Sequence, residues 1–198
     1  IFFIISFFLS ILIIKNLKVN FLVNTILVTS ALYLFLVTSR EFLIKGINNL
    51  AQNLAHFGFS LLILSILFNN FFSTEVITNL KIGETFKSEK INITFESIEK
   101  KEIKNYSSII GKININDPKG LNQTLEPELR IYNQPNIVTS EADIKTNLFS
   151  DKFITMNLVQ NQDYFNIRYQ IKPFMIWIWL SVLLICSGGL ISLFRKKI

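Results

Sequence analysis

The sequence predicts a polytopic α-helical membrane protein, with three to four transmembrane helices and an inserted extracytoplasmic all-β domain, a small antiparallel sandwich or barrel. Half of the 198 residues are hydrophobic and 19 are phenylalanine, a composition that excludes an ordinary soluble domain. The uncharged run from 46 to 74 is 29 residues long, and about 20 apolar residues in a helix suffice to cross a bilayer. Between Glu75 and Lys172, 13 basic and 13 acidic residues balance, and short stretches alternate apolar with polar side chains.

The net charge of +6 comes entirely from residues that flank apolar segments. Outside the balanced region there are seven basic residues and one acid: Lys15, Lys18, Arg40, Lys45, Arg195, Lys196, Lys197 and Glu41. Basic residues at the ends of apolar segments anchor a protein in a membrane. The charge therefore predicts the lipid bilayer as a partner and excludes nucleic acid.

Residues 1–72 are predicted to form the first transmembrane helices, at about 1–14, 19–39 and 50–72. The 14 residues of the first segment are short for a span, and the sequence opens with isoleucine. We therefore expect residues 1–14 to be the last part of a helix that begins upstream, in a longer protein. Residues 40–49, with Arg40, Glu41 and Lys45, predict a short loop or an interfacial helix.

Residues 73–172 are predicted to be the extracytoplasmic β domain. Apolar and polar residues alternate in four short stretches, which are 91–95, 113–115, 154–158 and 165–169. Such alternation is typical of strands with one buried face. The region has no histidine or cysteine, which excludes a zinc site or thiol chemistry within it. Its densest polar cluster, 126–132 with Thr139 and Glu141, is interpreted as a turn and a solvated strand with ion pairs.

Residues 173–194 are predicted to be the C-terminal transmembrane helix. Pro173 suits the first turn of a helix, Trp177 and Trp179 suit a membrane interface, and 187–189 offers small residues for helix packing. Cys186 is interpreted as a small packing residue. Residues 195–198 form a basic tail, which the positive-inside rule places in the cytoplasm or matrix, with 73–172 on the other side.

The helix predicted at 50–72 carries the only histidine, His56. Helical periodicity aligns it with Asn49, Gln52, Asn53 and Ser60 in one polar stripe. At a rise of about 1.5 Å per residue, His56 lies roughly 15 Å along the helix from Lys45. Ionisable residues in membrane helices usually serve a pathway, a partner or a ligand. From the residues alone, His56 is either a ligand of a metal or haem iron or a histidine that hydrogen-bonds a neighbouring helix.

Five features in order resemble the C-terminal part of the CcmF family. They are AHFG at 55–58, IGETFKSEKINITFESI at 82–98, Asn105-Tyr106, PELRIY at 127–132 with TSEADI downstream at 139–144, and IKPFMIWIWLSVLLICSGGLIS at 171–192. The resemblance covers about 40–197. Each motif alone is weak, and their order, spacing and membrane context make the similarity specific.

The resemblance implies a haem lyase of cytochrome c maturation, which attaches haem to the CxxCH thiols of apocytochrome c through thioether bonds. The histidine of the AHxG helix matches His56, which implies an axial ligand of a structural haem b. The second axial ligand lies upstream in the family and therefore outside this chain, so the fragment is not competent alone. No catalytic residue is implied here.

The family also implies partners and a location. The implied partners are the N-terminal remainder of the haem lyase, the haem chaperone, the subunits that handle apocytochrome c, and apocytochrome c itself. The location is the bacterial inner membrane, with 73–172 periplasmic, or alternatively the mitochondrial inner membrane.

Two other hypotheses come from different classes. In the first hypothesis, the chain is a membrane-anchored assembly or binding module, in which the β domain recruits a partner and His56 is structural. In the second, it is a fragment of a transporter in which His56 relays protons. The β domain and the lack of other intramembrane charges count against the second hypothesis.

Overall fold

The computed structural model describes residues 1–15, 17, 19–45, 49–88, 91–116, 122–159 and 163–194. The chain divides into two compact units. One contains Ile1–Ser73, Leu148–Ser150 and Pro173–Ile198, and the other contains Thr74–Asn147 and Asp151–Lys172. Lys18 and the predicted basic tail at 195–198 lie outside the described residues.

The first unit contains four helices. They are α1 (Phe2–Ile14), α2 (Phe21–Lys45), α3 (Leu50–Phe72) and α4 (Met175–Phe194). Three of them, over Phe21–Ile44, Leu50–Phe72 and Met175–Phe194, are long and apolar enough to cross a membrane, and α1 is shorter. The predicted fold class of three to four membrane helices with a β domain is confirmed.

Helix α2 runs six residues beyond the span predicted at 19–39. No glycine or proline interrupts the chain from Phe21 to Lys45, and residues 40–45 are mostly good helix formers. The charges of Arg40 and Glu41 therefore lie in the last turns of α2 and not in a separate loop.

Hydroxyl groups join the first three helices. Ser10 Oγ and Thr29 Oγ1 lie 2.6 Å apart between α1 and α2, and Thr38 Oγ1 and Ser60 Oγ lie 2.7 Å apart between α2 and α3. Water is absent from the bilayer core, so polar side chains there hydrogen-bond across helix interfaces. An apolar cluster accompanies these bonds: Ile14, Val28, Ala31, Leu32 and Leu64.

Helices α3 and α4 are antiparallel and approach closely at two glycines. A Cβ on Gly58 would lie 2.9 Å from the carbonyl oxygen of Ser181, and one on Gly188 would lie 2.6 Å from that of Ala51. Gly189 has nothing within 4 Å. Of the small residues predicted to pack, Gly188 therefore makes the close contact and Gly189 does not.

The second unit is a sandwich of two sheets. Its strands are β1 (Thr74–Leu80), β2 (Thr85–Lys87), β3 (Asn92–Ile103), β4 (Tyr106–Asn116), β5 (Asn122–Leu125), β6 (Glu128–Asn133), β7 (Asn136–Glu141), β8 (Asp143–Thr146), β9 (Ser150–Leu158) and β10 (Phe165–Pro173). One sheet has the order β1-β10-β9-β8 and the other β2-β3-β4-β6-β7, with β5 paired to β4. The first and last strands are neighbours, so the domain is inserted between α3 and α4 through adjacent strands.

Alternating side chains from both sheets fill the core of the sandwich. The fully buried apolar residues are Ile93, Phe95, Ile113, Leu125, Leu129, Ile154, Met156 and Ile167. Six of them were placed on the apolar side of the four predicted strand stretches. Leu158, at the end of one stretch, is exposed because it lies at the rim of the sandwich and not between the sheets.

Candidate functional site

His56 is the seventh residue of α3, and its side chain is exposed. The predicted polar stripe does not stay on one surface. Asn53 and Ser60 are buried, whereas Gln52 and His56 are exposed. Asn49 is the N-cap of α3. The amide of Asn53 and the hydroxyl of Ser60 therefore pack among the helices, whereas the imidazole of His56 faces away from them.

The arc of α3 that carries His56 is otherwise mainly apolar. At helical spacing it continues through Phe59 and Ile66, which are both exposed, and begins with Gln52 one turn before His56. Residues four apart on a helix are surface neighbours. The site is therefore a single imidazole in an apolar surface, with one amide beside it.

His56 lies in the first third of its helix. Helix α3 begins at Leu50, where the sequence predicted its start, so His56 is about 9 Å from the helix start. Its neighbour Phe57 contacts Phe42 of α2, with ring centroids 5.5 Å apart, and Phe42 directly follows the charged pair Arg40-Glu41. The imidazole is therefore level with charged residues of α2, in the outer third of the span.

Gly58 does not adjoin the exposed face. Its missing side chain allows the backbone of α4 to approach, through Ser181. The glycine of the AHFG motif therefore serves the packing of α3 against α4, and it does not contribute to the exposed arc that carries His56. Cys186, predicted as a packing residue, is exposed on α4.

A single imidazole limits what this chain can bind by itself. Among the described residues there is no group of three or more histidine, cysteine, aspartate or glutamate side chains that could hold a metal ion. Among those residues, His56 is therefore not part of such a group. Neutral imidazole is a common ligand for haem iron and for divalent metals.

The polar cluster of the β domain is an ion-pair network on β6 and β7. Arg130 Nη2 donates to Glu128 Oε2 at 3.0 Å, and Arg130 Nη1 lies 3.8 Å from Glu141 Oε1. The guanidinium also lies over the ring of Tyr106, 5.2 Å from its centroid. These contacts involve neighbouring strands, so they stabilise the sheet, and we assign no catalytic role to them.

Acid is expected to weaken the β domain through Glu128. The hydrogen bond from Arg130 holds the pKa of Glu128 below its usual value of 4.5, although partial burial acts in the opposite direction. A carboxylate with a lowered native pKa stabilises the fold above the unfolded pKa, and this stabilisation is lost as the pH falls through the native pKa. Glu128→Gln is expected to remove that part of the acid sensitivity, measured as the pH dependence of hydrogen exchange in β4 and β6. Glu99→Gln, at a side chain that is 66% exposed, is the matched control, and an unchanged profile in Glu128→Gln would contradict the prediction.

The β domain also has an open cleft of about 510 Å³ at the rim of the sandwich. Five apolar side chains line it, together with one lysine and one aspartate: Ile82, Ile98, Ile109, Leu158, Phe165, Lys100 and Asp163. This lining offers no nucleophile paired with a base. The cleft is suited to binding an apolar group.

Comparisons with known proteins agree on one family. A family model described as the CcmF C-terminal beta-sandwich matches residues 71–173. The chain is 26% identical over 165 residues to "Cytochrome c-type biogenesis protein CcmF" of Haemophilus influenzae, covering 81% of this chain and 26% of that protein. It is 31% identical over 123 residues to "Cytochrome c-type biogenesis protein ccl1" of Rhodobacter capsulatus, covering 62% and 19%.

A solved structure, "Cytochrome c Heme Lyase CcmF", resembles the whole chain. The TM-score is 0.68 at 16% identity, over 98% of this chain and 34% of that one. At this identity the likeness shows the fold alone. The chain spans about a quarter of the length of the first curated relative, so the similarity concerns one part of longer proteins.

Proposed function

The chain belongs to the CcmF family of cytochrome c-type biogenesis proteins, and from that premise we propose that it is the C-terminal part of a haem lyase in which His56 is an axial ligand of a haem b iron. The observation that carries the proposal is the exposed imidazole of His56 on an apolar arc of α3. An imidazole that only stabilised the helices would be expected among them, as Asn53 and Ser60 are.

The residues around His56 fit a haem. A porphyrin is a flat and largely apolar ring, and Phe59 and Ile66 extend an apolar surface beyond the imidazole on the same arc. A haem with two histidine ligands supplies a low-spin iron that exchanges electrons and has no open position for oxygen. This chain contributes one of those ligands, and the second comes from the N-terminal remainder of the lyase.

Gln52 is proposed to position the imidazole. It is exposed one turn before His56 on the same arc, where its amide is a surface neighbour of the imidazole. A hydrogen bond to the second ring nitrogen selects the tautomer that coordinates iron and orients the ring. Asn53, the other residue considered for this role, is buried away from that arc.

The whole lyase is proposed to form the thioether bonds between haem and apocytochrome c. It would receive haem from a haem chaperone and work with the subunits that handle apocytochrome c. This chain lacks the second axial ligand, so it is not competent alone. The β domain is proposed to be periplasmic in a bacterial inner membrane. Arg40 and Lys45 support this side, because they lie in the last turns of α2, which lead in the chain to the start of α3, whereas the β strands follow the end of α3, and basic residues favour the cytoplasm.

The test is an optical spectrum of the protein purified together with its N-terminal remainder. The proposal predicts a low-spin b-type signal in the reduced-minus-oxidised spectrum, from haem that acid-acetone extracts because it is not covalently attached. A preparation that inserts in the membrane and contains no haem would overturn the proposal. It would favour the alternative of a membrane-anchored assembly module, for which the apolar cleft of the β domain is the candidate docking site.

A further inference from the structure

The connection between β8 and β9 carries two exposed apolar side chains. Leu148 is 56% exposed and Phe149 is 67% exposed. The stretch from Thr146 to Ser150 has no charged residue. Large apolar side chains that are exposed to water raise the free energy of the protein, so an apolar environment at this turn would stabilise it. We refer to Leu148 and Phe149 together as the hairpin tip.

Two hydrogen bonds attach the hairpin tip to the start of α4. The indole Nε1 of Trp177 donates to the carbonyl oxygen of Leu148 at 3.0 Å. The backbone N–H of Phe174 donates to the carbonyl oxygen of Phe149 at 2.8 Å. Leu148–Ser150 accordingly belongs to the same compact unit as the helices. The position of the tip along α4 is therefore defined through its own backbone carbonyl oxygens.

The geometry of the junction strengthens this attachment. Phe174 has a φ of 61°, a conformation that bulky residues rarely adopt. Neighbouring groups hold it there: its N–H bonds to Phe149, its ring lies 5.5 Å from that of Phe68, and the Asn69 amide donates to the carbonyl oxygen of Pro173 at 2.6 Å. A strained conformation persists only where its surroundings determine it. The hairpin tip is one of those surroundings.

The start of α4 lies at the boundary of the hydrocarbon core. Its 20 residues span about 30 Å, which matches the thickness of that core. Trp177 is therefore at the level where tryptophan is enriched in membrane proteins. Trp179, two residues further, is 65% exposed. The hairpin tip lies at this level too, because Trp177 donates to the carbonyl oxygen of Leu148.

We propose that Leu148 and Phe149 insert their side chains into the lipid interface beside α4, so that the hairpin tip is a membrane contact additional to the spans. The partner is the bilayer itself. The inference rests on the membrane helices and the contacts of α4, and it does not depend on haem binding by His56.

The test places a fluorescent label at the hairpin tip of the full-length protein in liposomes. Cys186 is the only cysteine among residues 1–198, so the background is Cys186→Ser together with replacement of any cysteine in the remainder of the protein. Phe149→Cys receives an environment-sensitive dye, and Leu148→Cys is a second site. The bonds from Trp177 and Phe174 are accepted by backbone oxygens, which these substitutions retain. Ile137→Cys, on β7 and 49% exposed, is the matched control.

The dye at 148 and 149 is expected to emit at shorter wavelength than at 137, and spin-labelled lipids of the headgroup and upper acyl region are expected to quench it several-fold more. Aqueous iodide is expected to quench only the control strongly. Equal iodide quenching at the three positions would overturn the proposal. Protection from both iodide and spin-labelled lipid would also overturn it, because it would mean that another protein segment covers the tip. Thermal unfolding of each labelled variant establishes that it is folded.

Discussion

His56→Ala is expected to abolish the b-type haem signal of the full-length protein while the protein still inserts in the membrane. Loss of an axial ligand leaves the iron five-coordinate at best and removes most of the bond energy that holds a haem at a helix surface. The side chain is exposed, so its truncation creates no cavity among α2, α3 and α4. The measurement is haem per protein from the reduced-minus-oxidised spectrum, together with thermal unfolding of the preparation without haem.

The chain offers a matched control for this experiment. Asn70 is an exposed polar residue on the same arc of α3, near its opposite end, and Asn70→Ala is expected to keep wild-type haem content. Gln52→Ala is expected to retain haem with a shifted reduction potential, because it removes only the group that orients the imidazole. Wild-type haem content in His56→Ala would refute the assignment of the ligand.

Gly188→Ala is expected to destabilise the pair of helices α3 and α4. The added Cβ would lie 2.6 Å from the carbonyl oxygen of Ala51 and 2.9 Å from the backbone nitrogen of Ala55. These are backbone atoms of a helix and cannot move aside singly, so the helices must separate. Overpacking of this kind costs about 1–3 kcal/mol. The expected result is a lower midpoint of thermal unfolding in detergent and, because α3 carries His56, a reduced haem content.

Gly189→Ala is the control at the adjacent position. Nothing lies within 4 Å of a Cβ at Gly189, and alanine is favoured over glycine inside a helix by up to about 1 kcal/mol. The midpoint is therefore expected to stay the same or to rise. Equal effects of the two substitutions would show that the close approach of α3 and α4 at Gly188 does not limit stability.

The elements of this fold follow from local sequence. Uncharged apolar runs of sufficient length specify membrane helices, because a backbone in lipid must satisfy its own hydrogen bonds. Alternation over a few residues specifies strands, because successive side chains point to opposite faces, and it correctly placed Ile93, Phe95, Ile113 and Ile167 in the core. The family was recognisable from the order of short motifs, and the match to the CcmF C-terminal beta-sandwich confirms it.

Which side of each element is covered depended on tertiary structure. Helical periodicity aligned Asn53, His56 and Ser60 on one stripe. In the structure, α2 and α4 cover only part of the circumference of α3, so Asn53 and Ser60 are buried and His56 is exposed. The same reason separates Gly188, which faces α3, from Gly189, which does not. Local pattern gives the angle of a residue about its own helix and does not give the position of the helix beside it.

Two further features required the structure because they join distant parts of the chain. The extent of α2 to Lys45 and the contact of Phe42 with Phe57 set the level of His56 relative to the charges of α2, since that level depends on where the neighbouring helix ends as well as on the length of an uncharged run. The hairpin tip was not singled out from the sequence, although its signal was present as two large apolar residues in an uncharged turn. Only the bonds from Trp177 and Phe174 bring residues 148 and 149 beside a membrane helix, because contacts between distant segments depend on the packing of the whole chain.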